Sequence, residues 1–169
     1  MSPHRSLRGL GVKLSVLRSP WAVATLLRML PWAASLPLLK RIVPLPRLVG
    51  LAASSPRNSR PRPGREERVV ELTRLLYRSR AIAGRDNCLE RSLLAYRFLT
   101  KLDAQPELVV GMKKGGDEMM GHVWVLLDGR PVHETPQLLA GFVPVLVFDH
   151  EGRSSHSSPG LAPGPPPRA

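Results

Sequence analysis

Between residues 87 and 149 the spacing of apolar residues changes once, from the period of a helix to that of a strand. Leu89, Leu93, Ala95, Tyr96 and Leu99 share one face of a helix predicted over about 87–101. Short strand-like segments follow at Glu107–Met112, Gly121–Leu127, Arg130–Thr135 and Val143–Asp149, separated by Gly- and Asp-bearing breaks such as KKGGDE at 113–118. Ahead of residue 87 the signals are helical. Val69, Leu72, Leu75 and Leu76 form one apolar face, and Leu7, Leu10, Leu14 and Leu17 recur at helical spacing. The expected fold is α+β: N-terminal helices, then a Cys-bearing helix packed on a small antiparallel sheet, with helix and sheet segregated.

Four zones follow from composition. Residues 1–53 are a basic, apolar, helical region interrupted by Pro20, Pro31, Pro37, Pro44 and Pro46, and they read as short helices packing on the rest of the chain. Within them Trp21–Leu39 is strongly apolar but carries Arg28 near its middle. An Arg at mid-depth costs at least ~2.5 kcal/mol in a bilayer, so no spanning helix is expected; contact with a membrane face or a partner is the functional alternative. Residues 54–64, SSPRNSRPRPG, are a linker, 65–150 the domain that holds the Cys-bearing helix and the sheet, and 151–169 a disordered Pro/Gly/Ser tail. Charge follows the same division. Residues 1–68 hold 13 Lys/Arg against Glu66 and Glu67, a net of +11, whereas the remainder holds 12 against 11, within a total of +12. The basicity therefore belongs to the N-terminal region, and no specific nucleic-acid partner is expected. A single cysteine excludes an internal disulfide and a multi-cysteine metal cluster, and suits a reducing compartment. The expected location is cytoplasmic, with peripheral membrane contact through residues 1–53.

Cys88 follows Asp86 and Asn87, both good helix caps, and so falls in the first turn of the Cys-bearing helix. Unpaired N–H groups and the helix dipole there favour a thiolate. His122 opens the strand HVWVLL, where a side chain can leave the core and face a cleft. His4, His150 and His156 lie where no core pattern exists. A third member depends on the hairpin at Asp128-Gly129. With a two-residue turn, 127 pairs with 130, His122 faces Thr135, and Glu134 points to the opposite side. With a three-residue loop, 122 pairs directly with 134, at ~4.5–5.5 Å between Cβ atoms, and Glu134 can orient the imidazole. Asp128 lies roughly 20 Å along the strand and reads as turn chemistry. Cys88, His122 and Glu134 then supply a nucleophile, a base and an orienting acid. A zinc site from Cys88, His122, His133 and Glu134 is a weaker alternative, because His133 has the opposite strand parity and no paired-ligand spacing occurs. No metal and no cofactor are expected.

The runs NCLERSLLAYRFL (87–99), ELVVGMKKGG (107–116) and GHVWVLLDGRPVHE (121–134) resemble the lasso-peptide leader peptidases, stand-alone proteases with a transglutaminase-like, papain-related core. The resemblance covers roughly residues 65–149 and extends more loosely over 16–50. It implies that Cys88 is the nucleophile, His122 the base and Glu134, at a position where the family commonly has Asp, the third member, with Trp124 packing beside them. It also implies hydrolysis of a ribosomally made precursor peptide at the leader–core junction. The expected partners are that precursor, a separate leader-recognition protein and an ATP-dependent macrolactam cyclase. The backbone N–H of Cys88 supplies one oxyanion donor, and the sequence identifies no second. Two other uses of the same residues remain open: acyl transfer to an amine, as in a transglutaminase, and a non-catalytic binding adaptor.

Overall fold

A computed structural model describes residues 19–53, 64–78 and 88–156. The expected linker, apart from Gly64, and the capping residues Asp86 and Asn87 lie outside the described residues, as does most of the tail. The first helix, α1 (Pro20–Ile42), is a single element of 23 residues where the prolines predict several short ones. Pro20 sits in its first turn, while Pro31 and Pro37 lie inside it. An interior proline removes one helical hydrogen bond and crowds the preceding turn, at about 3 kcal/mol. Burial opposes that cost. Ala22, Thr25, Met29, Ala33 and Leu36 form a buried stripe, and each large apolar side chain taken fully from water contributes about 1.5–3 kcal/mol. Val23, Leu27, Leu30, Leu38 and Ile42 face solvent. By length and composition α1 is sufficient to cross a membrane.

After Pro44 the chain forms α2 (Leu45–Ala52), which buries Leu48, Val49 and Ala52. Helix α3 (Arg65–Arg78) buries Val69, Leu72 and Leu76, with Thr73 Oγ1 donating to the Val69 carbonyl. Helix α4 (Cys88–Thr100) is the centre of the molecule. Leu93, Leu94, Ala95, Tyr96, Phe98 and Leu99 are all buried, which is nearly the full circumference of a helix. One side meets α1, α2 and α3; the other meets the sheet. Lys40 of α1 pairs with the buried Glu90 of α4 at 2.6 Å, and Arg97 stacks over Trp32 at 4.2 Å.

The sheet comprises β1 (Glu107–Gly115), β2 (Glu118–Leu127), β3 (Arg130–Pro131), β4 (Val143–Phe148) and β5 (Ser154–His156), with a short helix α5 (Pro136–Leu139) before β4. The spatial order is β3-β2-β1-β4-β5, and every pairing is antiparallel. The expected loop at 113–118 shrinks to a turn at Gly116 and Asp117, with Gly116 at φ +66°. Strand β5 also corrects the expectation of disorder from residue 151: Ser154 and Ser155 pair with Phe148 and Val147. The Ser-rich sequence carries no apolar signal because β5 is an edge strand held by its backbone. One hydrophobic core runs from Ala22 in α1 to Phe148 in β4, so the helices on both sides of residues 54–63 pack on the same α4.

Candidate active site

Cys88 is the first residue of α4 and is half-buried. Burial by itself pushes the thiol up. Hydrogen bonds with the His122 ring and the Val123 backbone, together with the His122 charge, outweigh it and hold the thiol below its ordinary value. Ser92, one turn further along α4, donates to the Val123 carbonyl at 2.9 Å. Both main-chain groups of Val123 are therefore engaged by the first turns of α4, which fixes the thiol against β2.

His122 lies on β2 opposite Gly111 of β1. Its ring stacks on Trp124 with centroids 6.1 Å apart and meets Phe142 at 5.4 Å. The Trp124 indole lies across Gly111 so closely that a Cβ there would come within 2.5 Å of the ring. Only glycine gives the indole this position. Interaction with Cys88 and then with the Glu134 carboxylate raises the His122 imidazole to about 9 against the opposing effect of burial. A lowered thiol beside a raised imidazole favours the thiolate–imidazolium form.

Glu134 is buried, with Oε1 3.6 Å from His122 Nε2. That separation exceeds a hydrogen bond, so the contact is an ion pair that a small side-chain shift would close. The same oxygen is bonded by the Arg91 guanidinium. Burial pushes the Glu134 carboxyl up, but His122 and Arg91 prevail and hold it below the usual carboxylate range.

Glu134 arrives here by a route that strand parity does not give. Leu127 pairs with Arg130 and Leu126 with Pro131, and both Asp128 (φ 51°) and Gly129 (φ 72°) are left-handed. This is the two-residue type I′ turn, the register expected to turn Glu134 away from His122. The expectation fails because the ladder stops. A last bond joins the Val132 N–H to the Val125 carbonyl, and the next outward position on β2, Val123, is occupied by α4. With nothing left to pair, residues 132–134 bend out of the sheet, and parity no longer governs Glu134.

His133 turns elsewhere, with Nε2 3.4 Å from the Val70 carbonyl of α3. Burial, helped by Arg91 and Arg74, depresses it to about 4. Cys88, His122 and Glu134 thus converge without it, and Trp124 packs beside them as expected. Arg91, Ser92 and Phe142 are site residues that the sequence analysis does not identify. Arg91 and Ser92 had a usable signal, standing three and four residues after Cys88 on the same helix face. Phe142, in the segment between α5 and β4, had none.

Comparison with curated proteins and with solved structures finds no match. A family model described as the transglutaminase-like superfamily matches residues 26–147, a span that takes in most of α1 as well as the Cys88 helix and the sheet as far as Val147. The chain therefore belongs to the transglutaminase-like superfamily, the group with which lasso-peptide leader peptidases are associated.

Proposed function

We propose that this chain is a cysteine peptidase that removes the leader from a ribosomally made precursor peptide of the lasso type. The observation that carries the reading is the position of His122, beside the Cys88 thiol that its ring holds below the ordinary value and with the Glu134 carboxylate 3.6 Å from Nε2. The Cys88 thiolate attacks the scissile carbonyl, and the protonated His122 delivers its proton to the departing amine of the core peptide. His122 then takes a proton from water, which attacks the thioester and releases the leader as a carboxylic acid. Glu134 stabilises the imidazolium and fixes the ring orientation. Arg91 keeps the buried Glu134 ionised and in place. The thioester needs no cofactor, and the freed amine is the substrate an ATP-dependent cyclase requires. Leader recognition falls to a separate protein.

The test is mass spectrometry of the precursor peptide encoded beside this chain, incubated with the protein and the leader-binding partner, without ATP or cyclase. Cleavage at one junction, lost in Cys88→Ala, is the expected result. An uncleaved precursor together with an unreactive Cys88 would refute the reading in favour of an adaptor. A new amide on an added amine, at the expense of hydrolysis, would replace peptidase by acyl transferase.

A further inference from the structure

We propose that the open edge of β2 at Met119 and Gly121 receives the precursor peptide as an added β-strand leading to Cys88. The proposal rests on the peptidase reading and specifies how the same site holds its substrate. The β1–β2 register runs without a bulge from Glu107↔Leu126 to Gly115↔Glu118. Alternate residues of β2 therefore turn their backbone groups to the same side. The Val125 carbonyl accepts from Val132 on the β3 side, and the Val123 carbonyl accepts from Ser92 of α4. Both point away from β1. Two and four residues further back, Gly121 and Met119 point the same way. Among the described residues, β3 pairing ends at Val125 and α4 contact at Val123, so these two positions present unpaired N–H and C=O groups.

Exposed strand edges are ordinarily blunted by charge, proline or a covering segment. Met119, Met120 and Gly121 carry none of the first two, and all three are exposed. Position along the edge supplies the functional link. The outward position after Gly121 is Val123, whose N–H holds the Cys88 thiol. A strand paired at Gly121 thus reaches the nucleophile after two residues, roughly 6.4–6.8 Å.

Side chains define what kind of strand fits. Met112 pairs across from Gly121 and from Val143, and Met119 lies on that same face of the sheet, the one that carries α4. Met112, Met119 and Val143 are 37%, 59% and 53% exposed, an apolar shelf beyond the end of α4. Gly121 leaves a gap in that shelf, with nothing within 4 Å of where a Cβ would stand. An extended peptide would be held by its backbone at the edge, with alternate side chains over the shelf and one bulky apolar group in the gap beside Met119. This is the chemistry of strand addition: main-chain bonds give affinity, and pockets for alternate side chains give selectivity.

The test uses the unaltered protein with its leader-binding partner and a set of synthetic precursors, each N-methylated at one backbone position across the cleavage junction. The expected result is a KM raised tenfold or more at alternate positions on one side of the junction, with the intervening positions within threefold of the parent. A second arm uses Gly121→Pro, which removes an N–H facing away from β1 and belongs to the class of proline tolerated on strand edges. It is expected to raise KM at least tenfold with a smaller change in kcat, while alkylation of Cys88 by iodoacetamide reports whether the site itself has survived. Cleavage of the parent precursor with no alternation in the methylation series would overturn the added strand and leave the peptidase standing. A reactive Cys88 with no cleavage of the parent precursor would overturn both.

Discussion

Lys40→Met is expected to cost about 3 kcal/mol of folding stability, at the low end of the ~3–5 kcal/mol range for breaking a buried ion pair. Glu90 lies two residues after Cys88, and its side chain is 2% exposed; Lys40 Nζ is 2.6 Å from Oε1, and the lysine itself is 32% exposed. The other carboxylate oxygen has no hydrogen-bond partner. Methionine retains the aliphatic stem of Lys40 against the core, so the substitution isolates the loss of the cation. Two effects keep the cost near the lower limit: water reaches the lysine head, and the first turn of α4 offers a carboxylate some compensation from the helix dipole. The assay is urea denaturation at neutral pH. With a slope of about 2 kcal/mol per molar, the midpoint should fall by about 1.5 M. Lys40→Met/Glu90→Leu should recover most of it, because the stranded charge rather than the lost attraction dominates the penalty. A single-variant midpoint within about 0.3 M of the parent, or a double variant no better than the single, would refute the reasoning.

Iodoacetamide should alkylate Cys88 with an inflection below the ordinary thiol range, and His122→Ala should move it upward, since only the backbone groups of Val123 and Leu89 then oppose burial; an unmoved profile would mean that the ring does not hold the thiolate. Precursor cleavage should decline as pH rises through about 9, where the His122 imidazolium is lost, and Glu134→Gln should bring that decline to lower pH by removing one of the charges that raises it; pH–rate profiles of the two proteins decide this. Gly111→Ala places a methyl 2.5 Å from the Trp124 ring, and overpacking of this kind costs about 1–3 kcal/mol. Its thermal unfolding should be lowered, and Cys88 alkylation should slow because the indole that backs His122 must move.

The parts of this molecule legible in sequence are those with local causes. Cys88 at a helix start and His122 on a strand were readable because a cap pattern and an apolar alternation are written in neighbouring residues. The Asp128-Gly129 turn was readable for the same reason, since both residues tolerate left-handed backbone. Glu134 is legible as a candidate, but its route to His122 is not. Parity assumes that the ladder continues, and α4, more than 30 residues earlier, occupies the edge it would need. The prolines of α1 misled in the same way, because a buried stripe from Ala22 to Leu36 outweighs a local penalty at Pro31 and Pro37. Arg91 acquires its partner 43 residues away, and no window along the chain contains both.

The apolar girdle of α4 has a consequence for the life of the chain before it is complete. One side of α4 can be covered by α1, α2 and α3, all made before it, but the other needs strands that end with Phe148. At about 5–20 residues per second, the ribosome takes roughly 2–10 s to pass from Thr100 to Phe148. Through that interval the sheet-facing residues of α4 have no permanent cover, and Cys88 has no Val123 to hold it. The nascent chain is therefore expected to depend on chaperones, and synthesis at high temperature or from a strong promoter should direct it to inclusion bodies before any defect of the finished fold is felt.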